Sequence, residues 1–184
     1  AERLARHAYE TSGSLPAALL LAEVLTNTGR AAQASDLVAQ LPPDSLETAD
    51  REALVYCAAM GQGLLAGDPG AGVNLVAGVL SGVPSASDQL RALYGALLAF
   101  DAQFENALDV ALPVVNDRAA APAARTFAAI GVVGALYWLG RFREAIAIAD
   151  SIREVSASAR DTAPFGLPSI ELIATCALTE LGEF

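Results

Sequence analysis

Lysine is absent from this chain: all 11 basic residues are arginine, against 21 aspartates and glutamates, for a net charge of −10. A surface this acidic repels a phosphate backbone and gains nothing from counterion release, so direct nucleic-acid contact by these residues is not expected. An anionic membrane surface is disfavoured for the same reason. No apolar run reaches the ~18 residues that span a bilayer. The longest, Phe127 to Leu139 with its glycines counted in, has the length of a buried helix.

Histidine occurs once, as His7, and cysteine twice, as Cys57 and Cys176. With no CxxC, no HExxH and no histidine near either cysteine, neither a zinc site nor a disulfide framework can be assembled, and the usage fits a reducing cytoplasm. The two thiols read as small core or groove residues. No Ser/His/Asp set can be built. The glycine-rich stretch Gly61-x-Gly63-x-x-x-Gly67-Asp68-Pro69-Gly70 lacks the preceding strand and following lysine of a phosphate loop, and reads as helix packing plus a turn. Carboxylates such as Glu23, Asp50, Glu52, Glu171 and Glu180 read as solvated faces. Catalysis, a cofactor and a bound metal are therefore not expected.

What is abundant is alanine, the commonest residue, within a chain that is 54% hydrophobic. Alanine favours helix and lets helices approach closely, and strand-type alternation is lacking, so the class is all-α. The strongest pattern is a hexapeptide, Gly140-Arg141-Phe142-Arg143-Glu144-Ala145, at a turn between two helical runs. Ala102-Gln103-Phe104-Glu105-Asn106-Ala107 repeats it, Gly29-Arg30-Ala31-Ala32-Gln33-Ala34 repeats it more loosely, and Gly67-Asp68-Pro69-Gly70-Ala71-Gly72 keeps only its small ends. Gly182-Glu183-Phe184 is the first half of a fifth copy. Periods of this size point to stacked helical hairpins.

The helices follow from punctuation. Residues 1–12 read as a helix stopped near Gly13, left over from a preceding hairpin in a segment cut from a longer chain. Pro16 opens the next helix, to about Thr28, which returns over 31–41 and stops at Pro42-Pro43. Asp44-x-x-Glu47 resembles a capping box for a helix over about 47–66, whose partner spans about 71–81. Gly61, Gly63, Gly72 and Gly78 should make this second hairpin the least stable. Ser87 or Asp88 caps a third pair, about 88–100 and 104–116, with Pro113 expected to kink the second member. Pro122 begins the fourth, about 122–139 and 142–157, and Pro168 a last helix to about Leu181. The expectation is a single domain over 1–184, with hairpins at 15–42, 45–83, 86–118, 121–159 and an incomplete one at 167–184.

Within the fourth hairpin Ala129, Val132, Val133 and Leu136 form one apolar stripe, facing Phe142, Ala145, Ala149 and Ile152. Glycine at the turn, an aromatic two residues on and alanine three further resembles the tetratricopeptide repeat (TPR), at Gly140/Phe142/Ala145 and at Ala102/Phe104/Ala107. The first repeat has Ala31 where the aromatic belongs. The early bulky position of the repeat is degenerate, holding Ala18, Tyr56, Arg91 and Ala129, and the periods exceed the family's usual length. The resemblance implies an α-solenoid of about five hairpins, a TPR-like right-handed superhelix, whose first helices line a concave groove. Helical phase then puts Glu23, Thr26 and Asn27 of the first hairpin in that groove. Gln89, Ala96 and Phe100 of the third join them, with Phe127, Ile130, Gly134, Tyr137 and Trp138 of the fourth. Cys176, Thr179 and Glu180 complete the set.

The run Leu19-Leu20-Leu21-Ala22-Glu23-Val24-Leu25 leading into Gly29-Arg30, in alanine-rich hairpins without lysine, looks like large actinobacterial LuxR-type regulators. That resemblance implies a cytoplasmic, non-catalytic segment binding a protein or small-molecule effector in its groove. DNA binding would belong to a C-terminal helix-turn-helix, and an ATPase would precede the repeats; neither motif is present here. The alternative is a TPR-like protein-interaction scaffold unconnected with transcription. In either case apolar stripes left bare at the ends lead us to expect self-association.

Overall fold

A computed structural model describes residues 2–28, 30–40, 48–81 and 86–183. Among these the secondary structure is entirely helical, with no strand. The chain divides into two compact units, Ala1–Ala86 and Ser87–Phe184, each built by helix-on-helix packing.

Unit 1 holds α1 (Glu2–Ser12), α2 (Leu15–Asn27), α3 (Ala31–Ala39), α4 (Thr48–Ala59) and α5 (Pro69–Leu80). Its first three helices close on Ala5, Leu21, Ala22, Leu25, Ala34 and Leu37, with Tyr9, Val24 and Cys57 against them. Glu2 accepts hydrogen bonds from Arg6, one turn on, and from Arg30 beyond α2, tying the start of α1 to the first hairpin's turn. These guanidinium hydrogen bonds hold the Glu2 carboxyl below the usual carboxylate range. Helix α4 does not stop at Ala59 but widens into a π-helical stretch, Met60–Leu65, around the buried Gly61 and Gly63. The expected second-hairpin helix is therefore present in two hydrogen-bonding registers, because glycines without side chains tolerate the looser winding. Asp68 caps α5 by accepting from the Ala71 N–H at 3.0 Å. Pro42-Pro43 and the Asp44/Glu47 box lie outside the described residues.

Unit 2 comprises α6 (Asp88–Phe100), α7 (Phe104–Asn116), α8 (Pro122–Trp138), α9 (Phe142–Ser158) and α10 (Gly166–Leu181). Ser87 caps α6 by accepting from the Leu90 N–H at 3.3 Å. Helix α7 continues through Pro113 to Asn116. Helix α8 is the central member and packs on all four others. That position explains its composition: Ala124, Ala128, Ala129, Val132, Val133 and Ala135 are buried with little or no exposure. Small residues decide how close the helices come. A Cβ on Gly131 would lie 2.8 Å from the Gly95 carbonyl carbon and oxygen, and one on Gly95 would lie 2.5 Å from Ala111 Cβ. The backbones of α6 and α8 thus touch at Gly95 and Gly131, with Ala111 of α7 on the other side of Gly95. The stripes expected of the fourth hairpin are buried, including Ala145, Ala149 and Ile152 on α9. A polar pair sits among them: Thr126 donates to the Pro122 carbonyl at 2.8 Å and meets the Ser156 hydroxyl at 3.2 Å.

The hexapeptide echo has a common hydrogen-bonding basis. The N–H groups of Gln103, Arg141 and Glu183 each donate to a carbonyl five residues back, on Leu98, Leu136 and Leu178, at 2.8, 2.8 and 3.0 Å. Arg30 does the same to Leu25 at 2.9 Å. Ala102, Gly140 and Gly182 each take a positive φ, so each turn is the Schellman closure in which a left-handed residue ends a helix. In the second hairpin the corresponding bond, from the Asp68 N–H to the Gln62 carbonyl, reaches back six residues. The π-helical stretch accounts for the extra residue.

Candidate functional site

Helices α6, α8 and α10 come together so that their exposed faces frame an apolar groove of about 200 Å³. Ala99 and Phe100 close one side, from the last turn of α6. Tyr137 and Trp138, with Ile130 and Gly134 on the turns before them, form the floor and one rim from α8. Leu172, Ile173 and Cys176 supply the other wall from α10. Gly134 leaves the floor open, since a Cβ there would come no nearer than 4.0 Å to Ile173 Cδ1.

The rims stand out into solvent. Trp138 is 69% exposed, Leu172 67% and Phe100 59%. The Tyr137 and Trp138 rings meet edge to face at a centroid distance of 5.4 Å, and Tyr137 also leans on Phe142 at 5.6 Å. Phe142, the aromatic of the hexapeptide, therefore steadies the groove floor from behind while it fills the turn. Such aromatics offer large contact area with few torsions to freeze.

Six of the residues read from helical phase gather here: Phe100, Ile130, Gly134, Tyr137, Trp138 and Cys176. The others fall elsewhere. Phe127 is half-buried against the unit 2 core and does not line the groove. Gln89 is exposed at the start of α6, roughly 16 Å along the helix from Phe100 at about 1.5 Å per residue. Ala96 is fully buried between helices. Glu180 is exposed one turn beyond Cys176. Glu23 is exposed in unit 1, and the Asn27 side chain lies outside the described residues. Leu172 and Ile173 were not among the expected lining residues, although Leu172 stands four residues before Cys176 and shares its helical face.

The two thiols differ in setting. Cys57 packs on the unit 1 cluster, and burial, with the Glu23 charge as a lesser cause, pushes its pKa up to about 11. Cys176 is half-buried on the groove wall. Thr26, expected to face a groove, is 4% exposed, and its hydroxyl has no hydrogen-bond partner among the described residues. No three His, Cys, Asp or Glu side chains gather as a metal site among the described residues, and none of their helices is long and apolar enough to cross a membrane. Comparison with family models, with curated proteins and with solved structures found no match.

Proposed function

We propose that this chain is a non-catalytic helical-repeat segment that binds an effector in the groove between α6, α8 and α10. The observation that carries the reading is the exposure of Phe100, Trp138 and Leu172 around one apolar cleft. Three large apolar side chains from three helices, side by side in water, are costly unless something covers them. A volume of about 200 Å³ falls below the roughly 300–1,000 Å³ of pockets that enclose drug-sized ligands. It suits one or two anchoring side chains of a protein segment better.

In this proposal the repeating Schellman turns and the α6/α7, α8/α9 pairing are those of a TPR-like α-solenoid. The resemblance to LuxR-type regulators supports a role in transcriptional control, with the groove as the sensing element of a larger cytoplasmic protein. The second reading is a TPR-like scaffold with no link to transcription. Sequence flanking these residues separates the two: an upstream phosphate-loop ATPase and a downstream helix-turn-helix favour the regulator.

Binding itself is tested through Trp138, the single tryptophan. Titration with an uncharged amphipathic helical peptide of leucine and glutamine should shift its emission to the blue, and Leu172→Ser should abolish the shift. An emission indifferent to this peptide and to versions of it with a basic or acidic polar face would remove the proposal.

A further inference from the structure

Free charge at the ends of the groove helices is acidic among the described residues, since Arg143 is taken up by Glu183, just beyond α10, at 2.9 Å. Helices α6, α8 and α10 carry no basic residue in their last turns, so the negative ends of their dipoles are not compensated from within the helix. Carboxylates stand there instead. Asp101 is the C-cap of α6, next to Phe100, and among the described residues it accepts a neutral hydrogen bond from Gln103 Nε2 at 2.7 Å and joins no ion pair. Glu180 lies in the last turn of α10, one turn past Cys176, and no ion pair reaches it among the described residues. The nearest cation in sequence, Arg141 after α8, is held by both carboxylate oxygens of Glu144 at 2.7 and 2.6 Å. Glu171, beside Leu172, is already paired with Arg153 of α9 at 3.5 Å.

A carboxylate at a helix C-terminus opposes the dipole, and two of the three groove helices carry one. The arrangement is unfavourable in the chain alone and favourable once a cation approaches. The aromatic faces of Trp138, Tyr137 and Phe100 attract positive charge as well.

Resting on the groove as binding site, we infer that its occupant is a basic amphipathic helix of a partner protein, one or two bulky apolar side chains entering between Trp138 and Leu172 while lysine or arginine flanks them toward Asp101 and Glu180. The apolar cleft supplies the anchor, and the carboxylates of Asp101 and Glu180 select the charge.

The test uses the whole chain and three synthetic helical peptides with one leucine pattern and lysine, glutamine or glutamate on the polar face. The lysine peptide should bind about tenfold or more tighter than the glutamine peptide, with a blue shift of Trp138, and the glutamate peptide weakest. Added salt should narrow the spread. Asp101→Asn with Glu180→Gln should bring the lysine peptide to within about threefold of the glutamine one, with glutamine binding and the circular dichroism of the chain unchanged. Equal binding of all three peptides with a Trp138 shift would overturn the inference and leave the groove as a binding site. Lysine-peptide binding that survives Leu172→Ser would overturn it as diffuse attraction to an acidic protein. No Trp138 response to any peptide would overturn both the inference and the proposed function.

Discussion

Ala102 and Gly140 hold the same backbone position in successive hairpins, with φ of +59° and +73°, each followed by an N–H that donates to a carbonyl five residues back. Glycine reaches this left-handed region freely, whereas alanine pays about 1 kcal/mol or more for it. Ala102→Gly should therefore raise the stability of unit 2 by about 1 kcal/mol, and Gly140→Ala should lower it by a similar amount. Denaturant midpoints of the two variants should move in opposite directions. Movement of both in the same direction would contradict the assignment of a shared turn.

Gly131 and Gly134 stand three residues apart on α8 and should respond oppositely to the same change. At Gly131 the added methyl group meets the Gly95 backbone at 2.8 Å, which only a separation of α6 and α8 can relieve. We expect Gly131→Ala to cost about 1–3 kcal/mol. At Gly134 the new methyl group finds space, and the gain in helix propensity of up to about 1 kcal/mol should appear as stabilisation. Chemical denaturation of the pair checks both signs at once.

The second hairpin should open most readily. Its π-helical stretch, Met60–Leu65, is a rarely adopted winding held by two buried glycines, and a Cβ added at Gly78 on α5 would meet nothing within 4 Å. Amides of residues 60–66 should exchange with deuterium faster than those of α8. Gly78→Ala should slow that exchange across the hairpin through a gain of about 1 kcal/mol in helix propensity. Uniform protection from α4 to α8 would refute this picture.

Thiol chemistry should separate the two cysteines. With its pKa pushed up to about 11, Cys57 is about one-thousandth ionised at pH 8, and the thiolate is the reactive form. Cys176 lies on an open groove wall. Iodoacetamide at pH 8 should label Cys176 first, as peptide mass analysis would show, and a bulky maleimide there should block peptide binding. Faster labelling of Cys57 would mean that unit 1 opens more than its packing implies.

Acid should loosen the start of the chain. The Glu2 carboxyl is held below its ordinary value by Arg6 and Arg30, so its contribution is present above the unfolded carboxylate pKa and is lost as pH falls through the lowered folded value. The same sign applies to Glu144 with Arg141. Both groups are exposed, and salt will screen both effects. As the pH is lowered through the acidic range, α1 amides of the parent chain should lose protection, whereas in Glu2→Gln they should already be less protected above that range and change less within it.

Helix positions were legible because punctuation is local. Proline at a helix start, glycine at a stop and the hexapeptide itself set boundaries that agree with the observed ones to within a residue or two in unit 2. The π-helical register was not legible, since Gly61 and Gly63 signal looseness without saying which carbonyl each N–H will choose. Of the groove, helical phase placed Phe100, Ile130, Gly134, Tyr137, Trp138 and Cys176. It also suggested Phe127, which packs inward, and passed over Leu172, which points outward. Phase gives the direction of a side chain around its own helix. Whether a neighbour covers that direction depends on interhelical distance, which here is set by Gly95, Ala111 and Gly131.

The six-residue reach from Asp68 to Gln62, beside five-residue reaches elsewhere, shows how a chain of this kind can drift in repeat length. An inserted residue is stored as one wider coil inside a helix, and the next turn still closes in the left-handed form. A chain built this way can gain a residue within a helix and keep the turn that ends it.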